Sequence, residues 1–153
     1  MVLYHGSNVP IESIDLTRSR PYKDFGRAFN LSADKAQAQE MARFKMLTAG
    51  GEEIVTAFQV EDLSSLNMQS FDAYTEAWAE FVYNNRDERQ NYCHPYDVVY
   101  GPIANDTVGV QIRDLRERKI SLDHFLENLK YHKGITFQYA FCTNLAVSKL
   151  IRI

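Results

Sequence analysis

The sequence predicts an α+β fold with short strands in a largely antiparallel arrangement. Strand-like and helix-like segments are interleaved along the chain, but not in the regular order that builds parallel βαβ units. The 153 residues, 45% hydrophobic and 24% charged, suit one globular domain over residues 1–153. Neither a glycine-rich dinucleotide fingerprint nor a P-loop is present, which argues against the common parallel α/β folds.

The chain is predicted to begin with a strand and a long loop. Residues 2–5 form the strand, which turns at Gly6. The following segment, GSNVPIESIDLTRSRPYKDFG, is polar and is interrupted by Pro10, Pro21 and Gly26. Such composition predicts an irregular loop, in which Gly26 allows a tight turn just before the next strand.

The next segment predicts a short strand and a helix. AFNLS gives a strand over residues 28–31, with Ser32 as the helix N-cap and Asp34 in the first turn, where a negative charge is favoured. The helix is expected to run to about Leu47 and to stop at the AGG that follows. Its buried face is expected to comprise Ala33, Ala36, Met41, Phe44 and Leu47.

The rest of the chain alternates between both element types. EEIVTAFQV, YDVVYGP and ITFQYAFC are predicted strands, because they alternate in polarity or are rich in β-branched and aromatic residues. Helices are expected over residues 106–118 and 121–132, with Gly134 ending the second, and a short helix capped by Thr143 closes the chain. FDAYTEAWAEFVYNNR predicts another helix, whose apolar face comprises Tyr74, Ala77, Trp78, Phe81 and Val82.

Charge and cysteine content disfavour several protein classes. The net charge of −3 and the pI of about 5.8 make nucleic acid an unlikely main partner, although a local basic patch could still engage it. Cys93 and Cys142 suggest neither a disulfide framework nor a metal site, and free thiols fit a reducing cytoplasm. Neither a signal peptide nor an apolar run of membrane-spanning length is visible, so a cytoplasmic protein without a membrane partner is expected.

Three stretches contain candidate functional residues. In LYHGS, His5 is either a structural strand end or a ring that donates to a ligand hydroxyl, and the bare backbone of Gly6 could approach a planar amide. In FQYAF, Gln138 faces away from its aromatic neighbours, as a surface group or as part of a pocket wall. The stretch from residue 18 to 27 is either a solvated loop or a clasp for an anion such as a diphosphate, because it contains Arg18, Arg20, Lys23 and Arg27.

Taken in order, LYHGS, DFGRAFNLS, WAEFVYNNR, YDVVYGPIANDTV and FQYAFCT resemble a bacterial family known only as a domain of unknown function. That family is placed in the ADP-ribosyltransferase superfamily, in the group of the poly-ADP-ribose polymerases and diphtheria toxin. The resemblance covers essentially the whole chain. It implies two short packed antiparallel sheets with flanking helices, NAD as the substrate, and an unidentified bacterial acceptor such as a protein. A toxin-like role with an antitoxin-like partner is a further implication.

The same resemblance implies site residues, because this group uses a His–Tyr–Glu triad on three separated strands. His5 is similar to the histidine that holds a ribose hydroxyl, and Gly6 to the residue whose backbone holds the nicotinamide carboxamide. Asn30 stands where relatives have a tyrosine that stacks on nicotinamide, and Gln138 stands where they have glutamate. The resemblance therefore implies three catalytic positions, which are His5, Asn30 and Gln138. The implied NAD-binding residues are His5, Gly6, Arg20, Arg27 and Asn30.

The two replacements leave three hypotheses open. The protein is an active transferase, or a degenerate member that binds a nucleotide or a protein without turnover, or a toxic parent disabled by an acquired or introduced Asn30. The sequence does not assign a catalytic role to any of the acidic residues considered as substitutes, namely Glu12, Asp24 and Glu76.

Overall fold

Two small sheets and their helices form the part of the chain that this computed structural model describes, residues 1–129 and 135–153. The strands are β1 (Val2–Ser7), β2 (Phe29–Leu31), β3 (Ile54–Val60), β4 (Met68–Ser70), β5 (Val98–Pro102), β6 (Phe137–Phe141) and β7 (Leu150–Arg152). The helices are α1 (Lys35–Ala49), α2 (Glu76–Arg86), α3 (Asp106–Arg116), α4 (Leu122–Leu129) and α5 (Asn144–Val147), with a 3₁₀ turn at Leu16–Arg18.

The sheet topology confirms the predicted α+β class. The first sheet has the order β1-β3-β7 and is antiparallel throughout, and the second has the order β2-β6-β5-β4. Only the β4–β5 pair of the second sheet is parallel. The sheets meet where Tyr4 and Ser32 exchange two backbone hydrogen bonds of 2.8 Å, which brings β1 alongside the end of β2.

Two apolar clusters hold these layers together. One contains inward-facing residues of both sheets, namely Leu3, Leu31, Phe58, Val60, Val98 and Phe141, with Leu66 and Ala146. The other lies between the second sheet and helices α2, α3 and α4, and Trp78 is completely buried in it. The Trp78 indole N–H donates to the Pro102 carbonyl at 2.8 Å, so its one polar group is satisfied.

Helix α1 begins differently from the prediction. Asp34, not Ser32, is the N-cap, and its carboxylate accepts from the Ala36 N–H at 2.9 Å. Ser32 lies two residues before Asp34, and its hydroxyl accepts from the Asp34 N–H and donates to the Gln37 side-chain oxygen. Ser32 therefore stabilises the entry to the helix.

The predicted buried face of α1 is wrong. Its buried residues are Ala38 and Ala42, whereas Phe44 is 62% exposed and Leu47 is 75% exposed. The reason is the short distance to β1, since a Cβ added to Gly6 would lie 2.0 Å from the Ala38 carbonyl oxygen. Only small side chains fit at such a contact, so the larger apolar residues of the helix face outward. Ala33, Ala36 and Met41, also predicted to be buried, are exposed as well.

Helix α2 confirms most of its predicted face. Trp78, Phe81 and Val82 are buried, but the stripe is rotated so that Ala79 is buried and Ala77 is exposed. Thr75 caps the helix, so Tyr74 precedes it and packs against the Trp78 ring at a centroid distance of 4.6 Å.

The remaining helices are confirmed with shifted ends. α3 ends at Arg116, two residues before the predicted end. α4 is described over Leu122–Leu129, and the predicted end at His132 and stop at Gly134 lie outside the described residues. Thr143 caps α5 as predicted, accepting from the Ala146 N–H at 3.1 Å.

The predictions missed β4 and β7, each of which has three residues. Both are edge strands whose existence depends on a partner strand from elsewhere in the chain. Over the described ranges, no helix combines the length and the apolar character needed to cross a membrane.

Candidate functional site

A cavity of about 720 Å³ lies beside the bridge that joins β1 to β2. His5 of β1, Asn30 of β2 and Gln138 of β6 all line it, although they are far apart in the sequence. This volume is within the range of roughly 300–1,000 Å³ that is typical of small-molecule sites.

Asn30 and Gln138 share one face of the second sheet. Asn30 lies opposite Ala140 in the antiparallel β2–β6 pair, and Gln138 is two residues before Ala140 on the same strand. Directly opposed residues and residues two apart point to the same side of a sheet, so the two amides are diagonal neighbours. A second cavity, of about 470 Å³, is also lined by both amides and by Lys23. The two amides therefore belong to both cavities.

His5 is held as a neutral ring with a defined tautomer. Its Nδ1 lies 2.7 Å from the Asn30 carbonyl oxygen, which can only accept, so Nδ1 carries the hydrogen and Nε2 has a lone pair. Burial lowers the pKa of His5 from 6.5 to about 4, with a smaller contribution from the positive charges of Lys45 and Lys23, and the hydrogen bond to the Asn30 carbonyl opposes the shift. At neutral pH the ring can therefore accept from a ligand hydroxyl through Nε2, the reverse of the donation expected from the sequence.

The His5 ring is also fixed by an aromatic neighbour. Phe29, which precedes Asn30 on β2, stacks against it at a centroid distance of 4.2 Å and an angle of 22°. Phe29 in turn makes an edge contact with Phe58 of β3 at 5.7 Å. The imidazole is thus set in place by both sheets before any ligand arrives, which is the condition for precise recognition.

Gly6 presents backbone groups on the open side of β1. Tyr4 uses its N–H and C=O to pair with Ser32, so these groups point away from β3. Backbone direction alternates along a strand, so the N–H and C=O of Gly6 point the same way as those of Tyr4. The Gly6 carbonyl accepts from the Lys45 ammonium at 2.8 Å. Glycine is required at position 6 by the close packing of α1, whether or not a ligand approaches the same backbone.

Four basic residues line the large cavity, namely Arg18, Arg20, Lys23 and Lys45. Burial lowers the pKa of Lys23, and the charges of Lys45 and Arg20 lower it further. Burial also lowers the pKa of Lys45. Neither lysine forms an ion pair with another described residue.

The predicted NAD-binding arginines are located differently from each other. Arg20 lines the cavity, with its side chain exposed. The Arg27 guanidinium donates to the Thr17 carbonyl at 2.9 Å, and Arg27 is not among the residues that line the cavity. In this structure Arg27 therefore fastens the loop before β2.

The acidic residues considered from the sequence are also separated by the fold. Glu12 lines the large cavity, whereas Glu76 is exposed in the first turn of α2. Asp24 is buried, and one carboxylate oxygen accepts from the Arg86 Nε at 2.7 Å while the other accepts from the Ala104 N–H at 2.9 Å. Both Asp24 oxygens are thus engaged in structural contacts.

Lys45 is the site residue that sequence reasoning missed. It lies seven residues after Ala38 and three after Ala42, so it shares the helix face that packs on β1. The sequence would have indicated Lys45 only if the buried face of α1 had been predicted correctly. The larger apolar residues of α1 indicated a different buried face.

The other histidine and cysteine residues considered as candidates, His94 and Cys142, make structural contacts. His94 donates from Nε2 to the Phe25 carbonyl at 2.8 Å and accepts at Nδ1 from the Tyr96 N–H, so both nitrogens are used. Burial raises the pKa of the Cys142 thiol to about 12, which disfavours a nucleophilic thiolate. In residues 1–129 and 135–153, no cluster of histidine, cysteine and acidic side chains could hold a metal ion.

The comparisons with known proteins give a family but not an activity. No curated protein and no solved structure matches this chain significantly. Residues 1–151 match the profile of a family described as "Protein of unknown function (DUF3990)". The expected domain-of-unknown-function family is therefore confirmed, while its superfamily stays a prediction. Since this match covers nearly all of the 153 residues, the chain belongs to that family.

Proposed function

We propose that the protein is ADP-ribosyltransferase-like, binding NAD in the large cavity and transferring ADP-ribose to a bacterial acceptor. The observation that carries this proposal is the convergence of His5, Asn30 and Gln138, from three strands, on one cavity of about 720 Å³. By the resemblance these three positions correspond to the His–Tyr–Glu triad, with Asn30 and Gln138 in place of the tyrosine and the glutamate. The shared cavity supports the resemblance independently, because residues so far apart in the sequence need not line one cavity.

In this proposal His5 positions the ribose next to the nicotinamide. Its Nδ1–H is engaged by the Asn30 carbonyl, so Nε2 accepts a hydrogen bond from a ribose hydroxyl. The pKa of about 4 keeps the ring neutral at physiological pH, so that acceptor is always present. Stacking on Phe29 limits the rotation of the ring, which favours one ribose orientation.

The basic residues of the cavity supply the diphosphate contacts. Arg20 offers a planar fork of donors suited to phosphate oxygens, and Lys23 offers a half-buried positive charge. Burial strengthens the interaction of Lys23 with an anion, because the local dielectric is lower than that of water.

Gln138 determines how much turnover is expected. Cleavage of the nicotinamide–ribose bond develops positive charge on the ribose, as in glycoside cleavage, and a carboxylate near that centre stabilises it. The Gln138 amide can bind a hydroxyl but contributes no charge. We therefore expect slow transfer by the protein with Gln138.

A second candidate function is binding without turnover. The observation that favours it is the engagement of Asp24, the buried carboxylate near Gln138, by Arg86 and Ala104. Asp24 cannot replace the missing glutamate without breaking these contacts.

Binding of NAD is tested by calorimetry on the wild type and His5→Ala. Loss of the ring should weaken NAD binding about tenfold, because the hydrogen bond from the ribose hydroxyl to Nε2 is removed. His124→Ala is the matched control, since His124 is exposed on α4 and does not line the cavity. Equal affinity of wild type and His5→Ala would remove the site from the proposal.

Turnover is tested separately by nicotinamide release and labelling in a cell lysate with labelled NAD. Asn30→Tyr should tighten NAD binding about ten- to a hundredfold, by analogy with base–aromatic stacking. Gln138→Glu should raise the rate of nicotinamide release. If NAD binds but no form, including the double variant, releases nicotinamide, the binding-module function replaces the transferase.

A further inference from the structure

The amine of Lys45 is held inside the cavity, next to the backbone of Gly6. Its Nζ lies 2.8 Å from the Gly6 carbonyl oxygen, and both residues line the cavity. Ala42, one helical turn before Lys45, is completely buried where α1 packs on β1, so the helix that carries Lys45 cannot move outward freely. The ammonium is therefore a fixed feature of the wall and not a flexible surface charge.

The charge of Lys45 is not balanced by an ion pair with any residue that the structure describes. Lys23 and Lys45 interact repulsively with each other and with His5, and among the described residues neither lysine forms an ion pair. Confining like charges in a partly buried space costs free energy unless an anion compensates them. The cavity is thus complementary to a ligand that is anionic near Gly6 as well as at its diphosphate.

A dinucleotide whose pyridine ring bears a carboxamide and one whose ring bears a carboxylate would interact differently with Gly6 and Lys45. A carboxamide has a donor NH₂ group that needs an acceptor, and at the Gly6 carbonyl it would share the oxygen with the Lys45 ammonium that already donates there. The NH₂ group would also face the ammonium, donor against donor. A carboxylate has acceptors only, so it could accept from the Gly6 N–H and from the remaining hydrogens of Lys45.

We propose that the cavity prefers a dinucleotide whose pyridine ring bears a carboxylate, nicotinic acid adenine dinucleotide, over NAD, and that Lys45 determines this preference. The inference rests on the proposed function, because it places the pyridine ring beside Gly6. Lys45 is a specificity-determining residue here, and it takes no part in bond cleavage.

The test is a calorimetric comparison of the two dinucleotides on the intact chain. Both carry the same adenosine, riboses and diphosphate, so their difference isolates the substituent of the pyridine ring. The wild type should bind the acid form about tenfold more tightly than NAD, the ratio expected when a charge-assisted hydrogen bond replaces a neutral one.

Two matched variants assign the effect to Lys45. Lys45→Gln keeps an NH₂ group that can donate to the Gly6 carbonyl but removes the charge, so the tenfold preference should disappear. Lys35→Gln removes the same charge from the exposed start of α1, so the preference should remain. Circular dichroism checks that both variants are folded.

Each outcome separates this inference from the proposed function. NAD binding equal to or tighter than that of the acid form overturns the inference and leaves the proposed function intact. A preference that survives in Lys45→Gln also overturns it, because the general positive charge of the cavity would then be the cause. If neither dinucleotide binds in a manner that depends on His5, the proposed function fails together with the inference. The wild-type comparison needs no variant, so the inference can be overturned even if Lys45→Gln is unstable.

Discussion

Lys23 and Arg86 both line the smaller cavity next to Asn30 and Gln138, but they differ in whether their charge is paired with a carboxylate. Arg86 forms an ion pair with the buried Asp24, whose second oxygen accepts from the Ala104 N–H. Lys23 forms no ion pair with a carboxylate in residues 1–129 or 135–153, and its pKa is lowered by burial and by the neighbouring charges of Lys45 and Arg20. Its ammonium reaches the Ala28 carbonyl at 3.4 Å, a weak contact.

This difference separates a structural charge from a binding charge. A paired buried charge stabilises the fold, because removing its partner leaves a polar group unsatisfied. A buried charge without a partner costs stability, and such costs are concentrated at sites that bind or react. The ion pair of Asp24 and Arg86 therefore stabilises the wall of the smaller cavity. The side chains of His5, Lys23 and Lys45 are available to a ligand.

Gly6→Ala should produce the largest effect, because it removes the contact that holds α1 and Lys45 against β1. The added Cβ would lie 2.0 Å from the Ala38 carbonyl oxygen, so the backbone of the helix must shift. We expect the free energy of unfolding to fall by about 3 kcal/mol, the upper part of the range for overpacking. Urea denaturation measures the change.

Gly109→Ala is the matched control for that substitution. Its new Cβ would lie 3.5 Å from the Arg86 Nη1, an ordinary contact, and alanine is the better helix former. The control should be neutral or more stable by about 1 kcal/mol. Equal effects of the two substitutions would contradict the packing described for α1.

Asp24→Ala should have the next largest effect. It leaves the Arg86 guanidinium and the Ala104 N–H without their carboxylate, so the free energy of unfolding should fall by about 2–3 kcal/mol. Asp72→Ala, at an exposed position before α2, should change stability by no more than about 0.5 kcal/mol. Similar losses for both variants would show that the Asp24 pair is not structural.

The pH dependence of stability tests the buried state of His5. Its pKa is lowered from 6.5 to about 4 in the folded protein, so between these values the unfolded chain binds more protons. Stability is therefore highest above pH 6.5 and falls as the pH is lowered, by about 2 kcal/mol from about pH 7.5 to about pH 5.

The His5 contribution is isolated by comparing variants at each pH. His94 also has a lowered pKa, caused by burial, so it adds to the same trend in every variant that keeps it. His5→Gln should have a shallower pH curve than the wild type. Parallel curves for wild type and His5→Gln would mean that His5 is not buried in the neutral form.

Lys23→Met should have the smallest effect and the opposite sign. Removing a half-buried charge without an ion pair should raise the free energy of unfolding by up to about 1 kcal/mol, while anion binding becomes weaker. Thermal unfolding at low ionic strength measures the stability. A loss of stability comparable to that of Asp24→Ala would remove the distinction between the two groups.

Local patterns predicted most of the elements but only part of the packing. The period of α2 predicted its buried Trp78, Phe81 and Val82, because large apolar residues at helical spacing have no better place than the core. The same reasoning failed for α1, where Gly6 of a different element admits a helix face made of Ala38 and Ala42. No pattern inside α1 contains that information.

The sequence by itself determined the α+β class, the cap at Thr143 and the candidate positions His5 and Gln138, and the resemblance added Asn30. Only the tertiary structure decided that these three positions line one cavity, that the His5 ring is neutral, and that Lys45 enters the same cavity. The physical reason is that pKa values and ion pairing depend on burial and on neighbours from distant segments. The binding properties of His5 and Gly6 in LYHGS therefore depend on contacts with β2 and α1, which lie elsewhere in the sequence.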